Sequence, residues 1–581
     1  MSRMGFSERV RIAAVRAQGL QRQAATNVLN SGLLRWRQGS AALRELVIVP
    51  GDLRSRDPSF WPEVESGLMG LSGGTVDLNG RSPFDIAPPS EAWQRNLHGF
   101  SWLRHLEAAD DANAQKVAQR YLLDWLANPG LQDGNKSDPS VRARRVISWI
   151  SYAPFLLEGA SLRSFDSFAN GLAREVMVLS GTWRNAKAGY PRLLALTALV
   201  VAHLAVKGSE KQLTSTLRLL VSELERQILS DGGHASRDPS VLVDLLLDWL
   251  PLKSCFDARE VLLPDAFTIA ITRMLAMLRY MKLGDGAVAR FNGAGVGDPA
   301  ALATLGAYDE RPLPDWRIAP ESRYARLECG PSILIADVGA APALLMSSEA
   351  HAGCLSFEMS VGHSILFVNC GAPSEADVGW RAVSRATASH STVCLGEISS
   401  ARLVRHSGLE AQLGGVPLQL PSIVKSRLEK MVTGQTLDAS HDGYLARLGL
   451  MHRRELQLSA DGRTLVGLDW LETKGQDRLR RDVPFAVHFH LHPDSHCERM
   501  RDDAGDEAAM IYLQNGQRWR FHATGAAMTI EESTFFAGNS GPRAALQIVL
   551  RGACAGVSAV RWQALFDKPV AASVEITGNV P

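Results

Sequence analysis

Near residue 320 the hydrophobic period of the chain changes from that of a helix to that of a strand, which fixes the broad architecture. Before it, ANAQKVAQRYLLDWLANP, RARRVISWISYAPFLLEG, PRLLALTALVVAHLAVKG, TSTLRLLVSELERQILSDGG and DAFTIAITRMLAMLRYMKLGDG all carry apolar residues at helical spacing. Several end in Gly or Asn-Pro, as helix stops do. VLVDLLLDWLPL predicts a further short helix, closed by Pro251. Such a succession favours antiparallel helix pairs in an α/α array or toroid. No strict repeat marks a regular solenoid.

After the loop GAYDERPLPDWRIAPES the runs become strand-like, beginning with YARLECGPSILIADVG. RRELQLSADGRTLVGLDWLE reads as a hairpin turning at Asp461-Gly462. PFAVHFHLHP alternates, with Val487, Phe489 and Leu491 on one face and His488, His490 and His492 on the other. RWRFHATG, AMTIEEST, RAALQIVLRG and SAVRWQALF add further strands. Strands without intervening helices imply an antiparallel sheet or sandwich.

A chain of 581 residues is too long for one core, so two or three domains are expected. The net charge of +1 gives no global attraction to nucleic acid or membrane, so any anion preference must be local. Seven scattered cysteines with no CxxC pair argue against a disulfide framework and a thiolate zinc site. No apolar run is long enough to span a bilayer. The basic N-terminus has no secretory core, so a cytoplasmic location is the default and the periplasm or envelope the alternative. Phosphate-loop, dinucleotide, zincin and nucleophile-elbow motifs are missing.

The histidines and arginines between Ser348 and Cys394 are the densest chemical cluster. His351 and His390 sit at the edges of strand-like runs, with Glu358, Arg381 and Arg385 between them. Imidazoles and guanidiniums there suit an anionic substrate or a metal. For each histidine the alternative is a hydrogen-bonded structural residue. Cys354 reads as a buried thiol, and the His488, His490, His492 face as sheet scaffold before a chelating face.

In this order, RNLHGFSWLRHL, ARRVISWI, ERQILSDGGHASRDPS, HAGCLSFEMS, RATASHST and VHFHLHP resemble the heparinase II/III-like polysaccharide lyases. The resemblance implies an α+β multidomain chain, an N-terminal incomplete (α/α) toroid followed by a C-terminal antiparallel β-sandwich. It implies a basic N-terminal helix or extension over 1–40, the toroid over 41–315 and the β domain over 316–581. The implied activity is β-elimination on an acidic, uronate-containing polysaccharide or oligosaccharide. The alternative is a non-catalytic glycan-binding or envelope-assembly protein on the same scaffold.

His351 and His390 match the two histidines of the family's β-domain motifs, but the usual aspartate is Gly353 and the usual asparagine is Ser391. Val241 and Leu242 stand where a tyrosine-histidine pair is common. The implied catalytic set is His351, His390, His234 and Tyr190, with Tyr190 substituting for the missing tyrosine. The implied substrate-binding set is Asn185 with its neighbour Arg184, Arg237, Arg381 and Arg385. A structural zinc on His351 and His390, completed by water or Glu358, is the one cofactor the resemblance suggests.

Overall fold

The computed structural model describes residues 12–13, 45–132, 138–309, 311–373, 378–403, 415–473, 482–501, 505–536, 541–555 and 558–567. The expected N-terminal helix lies outside these residues, apart from the helical Ile12 and Ala13.

The first half is built on the helices Ala112–Ala127, Pro139–Ser151, Leu162–Thr182, Tyr190–Ala205, Glu210–Gln227, Ser240–Ala258 and Asp265–Tyr280. Asp111, Asp138 and Ser161 accept backbone N–H bonds at three of their N-termini, which satisfies donors a helix start leaves open. Helix Tyr190–Ala205 is apolar almost all round and is surrounded by four of the others. A helix with no polar face has to be buried. Phe100, Trp102, Trp125 and Trp149 form an aromatic cluster in the same core.

Pro251 does not close its helix. The helix runs from Ser240 through Pro251 to Ala258. Proline in a helix interior costs about 3 kcal/mol. Leu245, Leu246, Trp249, Leu252 and Phe256 are buried on both sides of it. Each such side chain contributes roughly 1.5–3 kcal/mol by burial, so tertiary packing outweighs the local penalty.

The second half is two antiparallel eight-stranded sheets. One runs His496–Arg501, Glu507–Tyr512, Arg518–Thr524, Ser558–Asp567, Thr464–Thr473, Leu450–Ser459, Gly434–His441, Val424–Met431. The other runs Ala527–Phe536, Pro542–Cys554, Val483–Leu491, Ser364–Val368, Phe357–Val361, Ser332–Asp337, Tyr324–Cys329, with Val393–Leu395 beside Val483–Leu491. Val487, Phe489 and Leu491 point into the core between the sheets, as their alternation predicts. The second sheet's other face meets the helical half: Tyr324, Ile335, Ile365, Val368 and Phe535 join the helical core. That contact places the chemically dense segments at the seam between the halves.

Candidate functional site

The seam is organised by the turn Leu229–Asp238 after helix Glu210–Gln227. Gly232 has φ +87°, and a Cβ there would meet the Arg273 carbonyl oxygen at 2.0 Å, so only glycine fits. Asp231 Oδ2 accepts bonds from the backbone N–H groups of Glu321 and Ser322 and from the Ser322 hydroxyl. The turn is thereby fixed to the segment that leads into the first strand of the β half.

His234 and Arg237 belong to this junction, and both are bonded to protein partners. His234 Nδ1 accepts from Ser236 N–H, so Nε2 carries the proton and donates to Gln227 Oε1 at 2.8 Å. Burial depresses its pKa to about 3 and keeps it neutral. Arg237 donates to Asp337 at 2.6 Å and to the carbonyls of Ser322 and Ala340, and lies over the Tyr324 ring. Its guanidinium joins the two halves.

Tyr190 is likewise engaged inside the helical half. Its hydroxyl accepts from Arg144, which grips Asp248 at 2.7 and 2.9 Å. Burial pushes the phenol well above its usual pKa. Arg184 stacks over Trp183, and Asn185 is half-buried in the turn Trp183–Asn185.

His351 and His390 do meet. His351 Nδ1 lies 3.1 Å from His390 Nε2, and His390 Nδ1 lies 2.8 Å from the Ala386 carbonyl oxygen. A carbonyl only accepts, so His390 donates from Nδ1 and accepts at Nε2. His351 must then donate from Nδ1, and its Nε2 keeps a lone pair with no hydrogen-bond partner among the described residues. Burial depresses both pKa values, His390 to about 4, so both rings are neutral near pH 7. Arg381 and Arg385 support this arrangement. Arg381 holds the Glu349 carboxylate and the Ser348 carbonyl, while Arg385 holds the carbonyls of Ala350 and Gly415. Together they fix the backbone that carries His351.

The sequence reading missed Asp238 and Glu349. Asp238 Oδ1 accepts from Ser240 N–H and Oγ, a helix-start pattern, but Oδ2 accepts nothing among the described residues. A Cβ at Gly293 would lie 2.3 Å from that Oδ2 and 2.9 Å from Glu349 Cβ, so the two acids flank the glycine. Asn292 beside it accepts from His351 N–H. Burial raises Asp238 to about 7. Burial works the same way on Glu349, but Arg381, Arg385 and Lys187 outweigh it and hold that carboxyl below its usual range. The clue in the sequence was adjacency: Asp238 follows Arg237, and Glu349 lies two residues before His351.

Residues 311–563 match the family description Heparinase II/III-like, C-terminal. FtsZ-localized protein C of Caulobacter vibrioides is 34% identical over 460 residues, covering 78% of this chain and 79% of that protein. The chain belongs to the heparinase II/III-like family. The solved heparinase III shares the fold, with TM-score 0.71 at 13% identity over 92% of this chain and 88% of its own. The heparan sulfate lyase HepC mutant of Pedobacter heparinus aligns with TM-score 0.60 at 15% identity, covering 96% and 91%.

The zinc that the heparinase II/III resemblance suggests does not fit these residues. His351 and His390 are two donors where a structural zinc takes four. Glu358 is fully buried and accepts from the backbone N–H groups of Arg290 and Asn369 and from the Arg290 guanidinium, so it is not available as a third. At Gly353 even a Cβ would come within 2.6 Å of His390 Cδ2. Among the described residues no group of three metal-ligating side chains converges. His488 bonds Gln547, and His490 bonds Ser533 and the Ala388 carbonyl, so that face is also engaged. Cys354 is buried with its thiol pKa raised, as an inert thiol is. Incubation with a chelator is expected to leave the thermal midpoint unchanged; a drop of several degrees would show a structural metal.

Proposed function

We propose that this chain is a non-catalytic member of the family, an assembly protein that uses the lyase scaffold to bind glycan rather than cleave it. β-Elimination needs a group that neutralises the uronate carboxylate, a base for the proton and an acid for the leaving oxygen. The observation that carries the reading is that the groups expected to fill those roles are already committed. Arg237 is bound to Asp337, Tyr190 to Arg144, and both nitrogens of His234 to protein partners. His351 Nε2 is the member of the expected catalytic set without a hydrogen-bond partner. The relative named FtsZ-localized protein C supports an assembly role beside FtsZ. A fold can persist while its chemistry changes.

One observation favours a retained lyase: a neutral His351 oriented by His390 is how a general base is held. The same assay separates the readings. Purified protein incubated with heparan sulfate, hyaluronan, alginate and bacterial exopolysaccharides is expected to give no ultraviolet signal of unsaturated uronate. A rising signal that His351→Ala abolishes would overturn the proposal. A fluorescent fusion of the full chain is expected to track FtsZ in dividing cells.

No helix among the described residues is long and apolar enough to cross a membrane.

A further inference from the structure

A cavity of about 250 Å³ lies in the helical half, and none of the candidate site residues lines it. Arg104 of helix Leu103–Glu107, Asp244 of helix Ser240–Ala258 and Asp298, the cap of helix Pro299–Gly306, face it together with Val243, Leu247 and Val288. A water takes up about 30 Å³ in the liquid, so the space suits a ligand on the order of ten heavy atoms.

Arg104 brings a guanidinium without a counter-ion. Its Nε donates to the Ser55 carbonyl at 3.0 Å and its Nη1 to the Ser101 carbonyl at 2.7 Å, which leaves Nη2 without a partner among the described residues. No described carboxylate forms an ion pair with it. Burial, with Arg54 and Arg144 acting as like charges, outweighs the pull of Asp52 and holds the Arg104 pKa below its ordinary value. The acids nearby are already taken: Arg54 holds Asp52 and Asp248, and Arg144 also holds Asp248. A partly desolvated charge of this kind gains from a bound anion, and a guanidinium edge fits a carboxylate.

The same cavity holds acid. The Asp244 charge stabilises Arg144. Asp298 Oδ1 accepts from the Ala300 N–H at the helix start, while Oδ2 accepts nothing among the described residues. Arg104 and Asp298 therefore face one space without forming an ion pair with each other, and apolar side chains line that space with them. A ligand that satisfies both carries a carboxylate, an ammonium group and an apolar body. A uronate brings only the first of these.

We infer that this cavity binds a small zwitterion, an apolar amino acid or a dipeptide, with its carboxylate on Arg104 and its ammonium group toward Asp298. The inference is independent of the glycan-binding reading.

Calorimetric titration of the full chain tests it with L-leucine, alanyl-leucine, N-acetyl-L-leucine, L-leucinamide and glucuronate. Leucine or the dipeptide is expected to bind at least tenfold more tightly than either capped leucine. Tighter binding of leucine would assign the cavity to free amino acids, and tighter binding of alanyl-leucine to peptides. Arg104→Gln is expected to abolish binding. Asp298→Asn is expected to lose at least tenfold in affinity with an unchanged thermal midpoint, because asparagine caps a helix as well as aspartate does. Equal binding of leucine and N-acetyl-leucine would overturn the inference in favour of a plain carboxylate site. Binding of glucuronate alone would overturn it in favour of a uronate. Silence with all five would overturn it and leave the glycan-binding reading standing.

Discussion

Asp238→Asn makes the chain more stable at pH 8 and removes a pH dependence that the native chain shows. The native carboxyl keeps its proton up to about pH 7 because burial disfavours its charge, whereas an unfolded aspartate releases it near 3.9. Between those values the folded state binds the extra proton, so stability falls as pH rises and the loss is complete above pH 7. At 1.36 kcal/mol per pKa unit the ceiling is about 4 kcal/mol. Asparagine keeps the Oδ1 bonds to Ser240 and replaces the charged oxygen with a neutral amide. The check is denaturant unfolding of both proteins at pH 4.5 and pH 8. The variant is expected to gain about 3 kcal/mol at pH 8 and much less at pH 4.5. Equal curves would show that Asp238 is not strained by its charge.

Arg237→Ala goes the other way. The guanidinium and Asp337 form an ion pair across the seam, with both side chains under a tenth exposed. Truncating one partner leaves a buried charge alone and is expected to cost about 3–5 kcal/mol. Arg237→Lys is expected to recover only part, because an ammonium cannot reproduce the planar fork that also reaches the Ser322 and Ala340 carbonyls. The thermal midpoint of both variants is the measurement. A midpoint within a degree of the native chain's, with glycan affinity lost, would return Arg237 to the ligand.

The period change near residue 320 made the architecture legible, because helical and strand spacings differ and each half keeps its own throughout. The hairpin at Asp461-Gly462 was readable for the same reason: Leu450–Ser459 pairs with Thr464–Thr473. Pro251 misled because a local rule was applied where buried leucines decide the outcome. The meeting of His351 with His390 followed from motif resemblance rather than from any pattern in the residues themselves. Arg237 and His234 read as ligand-binding groups because sequence shows that a polar residue is present; the partners each one holds are legible only in the structure. Asp238 was hidden for the converse reason. Its place before Pro239 and Ser240 reads as a helix start, and that use is real for one oxygen; the other could be noticed only with Gly293 beside it.

The turn Leu229–Asp238 grips the β half near both of its ends, Asp231 through three donors and Arg237 through its ion pair. A connection made twice at one place is a weld rather than a hinge. On the proposed glycan-binding reading, the two halves would meet a ligand at this seam as a fixed jaw. Selection would then come from static fit, with a sugar of the wrong shape refused on arrival rather than squeezed into place.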